Sequence, residues 1–348
     1  MTEKIIRLKE INKSYGTNHI VKDLSLDVYK GEFLTLLGPS GCGKTTTLRM
    51  IGGFEAPNSG QVFINEQDVT DIPPNKRDVN TVFQNYALFP HMTVNENIEY
   101  GMRMKKIKKN ERLERVNKIL KMVQMESFAS RKPKEMSGGQ QQRIAVARAI
   151  VNNPSVLLLD EPLGALDLKL RKEMQLELKH LQKSLGMTFI YVTHDQEEAL
   201  TMSDRIAVMR DGRIDQLDTP ESIYNHPKTV FIADFIGETN LLKGKVASIQ
   251  GNEATIELFG HKFKANKNDN FELEEYVNIS IRPENLILSN EDSYFKGVVK
   301  EVLFAGSVRK LVVEIHNGEE IVLTIDDSSY LPGQEVGITW KQTPVVIA

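Results

Sequence analysis

The chain has 348 residues, 40% hydrophobic and 26% charged, with a formal net charge of −3. That length and mixture predict two or three globular domains and exclude a disordered or fibrous chain; the near-neutral balance gives no global attraction to nucleic acid or to an anionic membrane surface. The single cysteine, Cys42, excludes an internal disulfide and suits a reducing compartment, no apolar run approaches the ~20 residues of a spanning helix, and the opening MTEKIIRLKE has no apolar leader core, so a chain neither exported nor membrane-spanning is expected.

Residues 5 to 37 alternate apolar and polar around the turn-prone Tyr15-Gly16-Thr17-Asn18 and predict short strands. The apolar run Phe33 to Leu37 reads as a buried strand. It leads into Gly38-Pro-Ser-Gly-Cys-Gly-Lys44-Thr45, which fits G-x-x-x-x-G-K-[ST], and then into a helix-compatible run, Lys44 to Ile51, stopped by Gly52-Gly53. Strand, glycine loop and helix is the context in which this pattern cradles phosphate. Gly38, Ser40, Gly41, Cys42 and Gly43 would curl backbone N–H groups around phosphate oxygens at the positive end of the helix. Lys44 would reach the β- and γ-phosphates, Thr45 would offer its hydroxyl to Mg²⁺, and Thr46 follows in the same turn.

A second turn-rich strand region covers residues 58 to 83 and ends at Thr81-Val82-Phe83. From about residue 93 to 152 the pattern is helical. Its charge-dense stretch, Arg103 to Lys118, interleaves acids with bases and lacks aromatics, which favours a solvated face over a nucleic-acid surface. Ser137-Gly138-Gly139-Gln140 precedes the helical run Gln141 to Val151 and reads either as a simple N-cap or as a second anion-binding loop. Val156 to Leu159 is wholly apolar and predicts a buried parallel strand. A helix follows from about Leu166 to Leu185, closed by Gly186, and then a buried strand, Thr188 to Val192. Ile206 to Met209 and Ile214 to Leu217 flank Asp211-Gly212, a hairpin signal. Thr219-Pro220-Glu221 opens helical segments that run to Ile236, with Gly237 as their stop.

Beyond Gly237 short alternating strands replace the α/β rhythm: Lys245 to Ile249, Ala254 to Leu258, Val277 to Ile281, Val298 to Leu303, Lys310 to Ile315, Ile321 to Ile325 and Val336 to Trp340. Gly251-Asn252, Asn317-Gly318 and Pro332-Gly333 punctuate them, and an all-β domain of one or two barrels is expected. Lys243-Gly244-Lys245-Val246 and Lys296-Gly297-Val298-Val299 hint at two related halves.

Phosphoryl transfer to water needs a phosphate cradle, Mg²⁺, a positioned water and charge stabilisation. Asp160 ends a buried strand and is a candidate Mg²⁺ ligand, and Glu161 a candidate general base; the pair also reads as an acidic cap before Pro162. His194 is a candidate γ-phosphate contact or a structural histidine. Gln84 is a candidate sensor of metal or water, or an ordinary turn residue. Tyr15 is a candidate platform for adenine or an exposed aromatic. One site does not need two anion loops, whereas two chains facing each other would use both.

The set and order of these motifs resemble the nucleotide-binding subunits of ABC transporters: the phosphate loop Gly38 to Thr45, Gln84, MSGGQ at Met136 to Gln140, LLLDE at Leu157 to Glu161, GALD at Gly164 to Asp167, and His194. The resemblance implies an α/β P-loop NTPase fold with a helical subdomain at about 86–152, in a nucleotide-binding domain at 1–237. It implies a C-terminal all-β regulatory domain of two OB-like barrels at 238–348, whose motif is matched by Arg282-Pro283-Glu284. It also implies ATP sandwiched head to tail between two copies of the chain. Lys44 and Thr45 would serve phosphate and Mg²⁺, with Asp160 and Gln84 on the metal side. Glu161 would act as base and His194 as γ-phosphate contact. Ser137, Gly138, Gly139 and Gln140 would meet the partner chain's ATP, and Asp167 would couple the two sites. Met136 replaces the usual leucine, and Gly164 the usual serine; neither removes a catalytic group.

Asn85 to Val94 resembles importers, and Val79 to Gln84, Arg131 to Pro133, Leu168 to Gln175, Thr193 to Arg205 and Phe235 to Asn240 resemble the polyamine-importing branch. That implies a peripheral subunit on the cytoplasmic face of the membrane, two integral membrane permease partners, an extracytoplasmic substrate-binding protein acting indirectly, and no nucleic acid. Importers of maltose-type sugars, sulfate or iron share the architecture. A soluble non-transport ABC ATPase would more often carry two such domains or a coiled-coil insertion, and this chain has one phosphate loop and no heptad run.

Overall fold

The computed structural model describes residues 3–164, 166–251, 253–266, 271–289, 293–315, 318–326 and 329–347; Ala165 of the GALD stretch and the turn residues Asn252 and Asn317 lie outside them. Two compact units are formed, Met1–Pro220 and Glu221–Ala348.

In the first unit, β1 (Lys4–Tyr15) and β2 (Asn18–Tyr29), each twelve residues rather than the short strands expected, pair as an antiparallel hairpin about the Tyr15–Asn18 turn. With β4 (Ser59–Ile64) and β5 (Gln67–Asp68) they make an antiparallel sheet in the order β2-β1-β4-β5. A six-stranded sheet forms the centre. It contains β3 (Phe33–Leu37), β6 (Val79–Val82), β7 (Val156–Asp160), β8 (Thr188–Thr193), β9 (Arg205–Arg210) and β10 (Arg213–Asp218), in the order β10-β9-β3-β8-β7-β6. All neighbours are parallel except the β9–β10 hairpin, which turns at Asp211-Gly212 with both residues at positive φ.

The inner strands β3, β7 and β8 are buried at every position and mostly apolar, because both faces are covered. Leu157, Leu159, Phe189 and Tyr191 pack into one core with the helical segments. Their neighbours Val156, Leu158, Ile190 and Val192 pack into another with β1, β2 and the helix α1 (Lys44–Gly52). The helical subdomain is built from α2 (Val94–Met104), α3 (Lys109–Met122) and α4 (Gly138–Ile150), which pack on one another. A capping box at Thr93 and Glu96 starts α2. The long α5 runs Leu168–Leu185, two residues shorter at its start than the pattern predicts, because Asp167 is its N-cap. A short helix absent from the sequence reading, α6 (Gln196–Met202), begins at Asp195.

The second unit starts with α7 (Pro220–Asn225) and α8 (Val230–Phe235). The change of character at Gly237 thus marks where its strands begin, while the helices ahead of it pack with them. Arg282 explains this: its guanidinium donates to the carbonyls of Tyr224, Ala233 and Glu238.

One five-stranded antiparallel sheet holds β11 (Asn240–Gln250), β12 (Glu253–Leu258), β13 (His261–Asn266), β14 (Tyr276–Ile281) and, after the intervening strands, β20 (Val345–Ile347). The other holds β15 (Leu286–Leu288), β16 (Phe295–Phe304), β17 (Arg309–Ile315), β18 (Glu320–Ile325) and β19 (Glu335–Trp340). Their orders, β13-β12-β11-β14-β20 and β18-β17-β16-β19-β15, are the same pattern with the last strands exchanged: β15 follows β14 but pairs with β19, and β20 follows β19 but pairs with β14. Gly244 and Gly297 of the faint repeat lie on the corresponding central strands β11 and β16. Both sheets contribute to one shared core. The sequence reading lacked β13, β15 and β20; the last two are three residues long, too short to show alternation.

Candidate nucleotide site

Four adjacent parallel strands, β3, β8, β7 and β6, end on the same edge of the central sheet. Their carboxyl ends run into the phosphate loop, His194, Asp160-Glu161 and Gln84 respectively. Residues scattered over more than 150 positions converge there because the sheet order brings them together, at the edge where open α/β sheets hold ligands.

The loop is tightly built. A Cβ on Gly38 would lie 2.2 Å from the Met209 carbonyl oxygen, so no side chain fits. Gly43 has φ 103°, open only to glycine, and serves as the N-cap of α1 with no side-chain hydrogen bond. The first amides of α1 are therefore left without a side-chain cap, in a loop shaped for an anion. Lys44 is buried, and its Nζ donates to the Gly38 and Pro39 carbonyls at 2.7 and 2.9 Å. Cys42 is also buried, with Sγ 3.8 Å from that ammonium. Burial pushes its thiol pKa up, partly opposed by Lys44.

Thr45 Oγ1 donates to Asp160 Oδ1 at 2.9 Å. Burial raises the Asp160 pKa, and the Thr45 hydrogen bond offsets part of that. A partly desolvated carboxylate beside a hydroxyl is a hard-oxygen donor set, which fits a Mg²⁺ ion. Glu161 takes a left-handed backbone, φ 45°, uncommon for a residue with a side chain, and its N–H is held by the Val192 carbonyl at 3.1 Å. Its carboxylate stands between Gln84, whose Nε2 donates to Oε2 at 3.4 Å, and His194, whose Nδ1 lies 3.3 Å from Oε1. Gln84 thus reaches the candidate base directly. A Cβ on Gly164 would meet Gln84 Nε2 at 3.6 Å, ordinary contact, so the serine usual at that position would be accommodated.

An open cleft of about 360 Å³ is lined by Tyr15, Ser40, Gly41, Gly43, Lys44, Thr45, Thr46 and Glu161, with Ile20 added by the structure. Tyr15 is half exposed and Lys13 Nζ lies 5.0 Å from its ring centre. Ser137, Gly138, Gly139 and Gln140 do not line this cleft. Ser137 and Gln140 form a capping box that starts α4. Cβ atoms on Gly138 and Gly139 would contact Leu166 and Leu170, which flank Asp167.

Three residues that support the site escaped the sequence reading. Arg148 on α4 donates to the carbonyls of Ala87 and Tyr86, two successive left-handed residues just after Gln84. Arg171 and Glu198 lie beneath the His194 turn; Glu198 accepts from Tyr191 and Thr193. The arginines carry no local signal, since their partners are remote in sequence. The start of α6 did carry one, an aspartate followed by acids in the first turn.

The ABC transporter family profile matches residues 21–164, and the TOBE domain profile matches residues 279–347. The chain is 51% identical to the spermidine/putrescine import ATP-binding protein PotA of Acetivibrio thermocellus, over 96% of this chain and 93% of that protein. It is 47% identical to the protein of the same name from Bacillus cereus, over 98% of both. Among solved structures, the dimeric post-hydrolysis state of the ATP-binding cassette MJ0796 bound to ADP and Pi is similar with a TM-score of 0.56 and 35% identity, covering 62% of this chain and 99% of that one.

Proposed function

This chain belongs to the ATP-binding proteins of ABC transporters, and on that premise we propose that it is the ATP-hydrolysing subunit of a polyamine importer. The observation that carries the reading is the convergence of Lys44, Thr45, Gln84, Asp160, Glu161 and His194 on one sheet edge, in a chain that shares half its residues with spermidine/putrescine import ATP-binding proteins over nearly its whole length. We assign the ATPase to the first unit, Met1–Pro220, and a regulatory role to the second, Glu221–Ala348, whose β strands begin after Gly237.

ATP binds in the cleft, with Tyr15 against the base and the loop amides, Lys44, Ser40 and Thr46 around the phosphates. Thr45, Asp160 and Gln84 would hold Mg²⁺, which would neutralise phosphate charge. Glu161 takes the proton of the water that attacks the γ-phosphorus as the bond to the β-phosphate oxygen breaks and ADP leaves; Gln84 and His194 fix the Glu161 carboxylate, and His194 meets the γ-phosphate. Ser137, Gly138, Gly139 and Gln140 lie outside their own chain's cleft and serve the ATP of a second copy, with Asp167 between the two sites. ATP thereby joins two copies, and its hydrolysis parts them. No helix among the described residues is long and apolar enough to cross a membrane. The chain docks from the cytoplasmic side on two membrane permease subunits, to which a substrate-binding protein outside delivers cargo.

The test is uptake of labelled spermidine and putrescine by cells lacking the chain, rescued with wild type or Glu161→Gln, with maltodextrin and sulfate as controls. Loss of polyamine uptake restored only by wild type is expected. Glu161→Gln should lower turnover by about 10²- to 10⁴-fold and accumulate an ATP-bound dimer. Unchanged polyamine uptake, or loss of a control solute alone, discards the polyamine assignment; wild-type turnover in Glu161→Gln discards Glu161 as base.

A further inference from the structure

Arg171 stands one turn into α5 and joins two loops of different duty. Its Nη2 donates to the Leu166 carbonyl at 3.1 Å, the residue just before Asp167. Its Nη1 donates to Asp195 Oδ2 at 3.4 Å, the residue just after His194. Asp195 is committed on its other oxygen too: Oδ1 caps α6 by accepting from the Glu197 and Glu198 amides. The Asp195 amide in turn donates to Thr193 Oγ1, which donates to Glu198. Displacement of Asp195 therefore carries the whole turn bearing His194, whose ring faces Glu161.

Of the guanidinium's further donors, Arg171 Nε is buried with no hydrogen-bond partner. Arg171 Nε is thus a donor that neither loop engages. Only a planar fork reaches both acceptors at once.

We propose that Arg171 is a positioning residue that relays the state of one nucleotide site to the other, by tying the Asp167 loop to the His194 turn within each chain. The inference rests on the paired-site reading above. When the partner's ATP moves the Asp167 loop, the Leu166 carbonyl moves with it. Arg171 then pulls on Asp195, and His194 changes its seat against Glu161. Each chain's own base is thus set by the nucleotide it shares with its partner.

The test is steady-state ATP hydrolysis by the full chain assembled with its membrane subunits, with Arg171→Ala, Arg171→Lys and Asp195→Asn. Asparagine keeps the α6 cap and removes the ion pair. Binding of a fluorescent ATP analogue and thermal unfolding are measured alongside. All three variants should bind nucleotide within about twofold of wild type, while the Hill coefficient for ATP falls to about 1 and kcat drops about tenfold. Lysine should not rescue. Arg171→Ala with Asp195→Asn together should lose no more than either alone. A cooperative Arg171→Ala or Asp195→Asn enzyme, or additive losses, overturns the relay alone. A non-cooperative wild type, or a Glu161→Gln chain that forms no ATP-bound dimer, overturns the paired-site reading and the relay with it.

Discussion

Burial holds the Asp160 carboxyl above the usual aspartate range, so the unfolded chain releases that proton at lower pH than the folded one. The group costs the folded state nothing below its unfolded pKa and an increasing amount as pH rises through the folded value. Asp160→Asn keeps an acceptor for Thr45 and removes the charge. In ligand-free protein it should unfold a few degrees above wild type at pH 7, with the gap closing as pH is lowered toward the ordinary aspartate value of 3.8; a gap that widens on acidification refutes the sign. The same variant should lose the stabilisation wild type gains from Mg²⁺ and ATP. Cys42 makes a second residue-scale case. Its thiol is buried in the loop and its pKa is raised, so alkylation should inhibit ATP hydrolysis slowly at pH 7 and about tenfold faster per pH unit above it. Cys42→Ser should resist, and equal inhibition of both proteins would place the effect elsewhere.

At the scale of elements, the loop after Gln84 is held against its own backbone preference. Tyr86 and Ala87 have φ of 58° and 45°, and Arg148 from α4 fixes both carbonyls. Burial lowers the Arg148 pKa, yet guanidinium stays charged across the working range. Removing it leaves the Tyr86 carbonyl short of a donor and lets the strained pair relax. Arg148→Ala should therefore destabilise the first unit by roughly 2 kcal/mol in urea unfolding and slow ATP turnover. Unchanged unfolding would mean that the Gln84 loop is held elsewhere. This clamp also links the loop beside Glu161 to the helix that Ser137 caps.

For the whole molecule, Arg282 has the part that Arg148 has in the first unit. It is buried, stacks on the Tyr224 ring at 4.3 Å and satisfies carbonyls from α7 to Glu238. The single tryptophan, Trp340, belongs to the same unit and packs with Tyr294, Phe263 and His261. Its fluorescence therefore reports that unit alone. Arg282→Ala should lower the tryptophan-reported unfolding midpoint while leaving ATP affinity in the first unit unchanged. An unshifted midpoint would show that Arg282 does not anchor the helices. The exchange of β15 and β20 between the two sheets implies that neither half of the β domain closes its sheet without the other.

What was open to reading from the residues was local. Gly38 to Thr45 needs glycines and a lysine at fixed spacing, so the phosphate loop is visible without a fold. The apolar runs at β3 and β8 and the wholly apolar Val156 to Leu159 of β7 announce strands covered on both faces, and Gly237 separates two rhythms of patterning. The roles of Gln84, His194 and Tyr15 were open in isolation and became specific only through the order of motifs around them. Tertiary structure alone decided that β3, β8, β7 and β6 end side by side, which brings Glu161 between Gln84 and His194. It alone decided the guanidinium clamps of Arg148, Arg171 and Arg282, the left-handed turn at Glu161 and the exchanged strands of the β domain. The physical reason is range: turns, caps and strand patterning are set by neighbours a few positions apart, whereas strand order and buried ion contacts depend on partners tens of residues away, which no local pattern records.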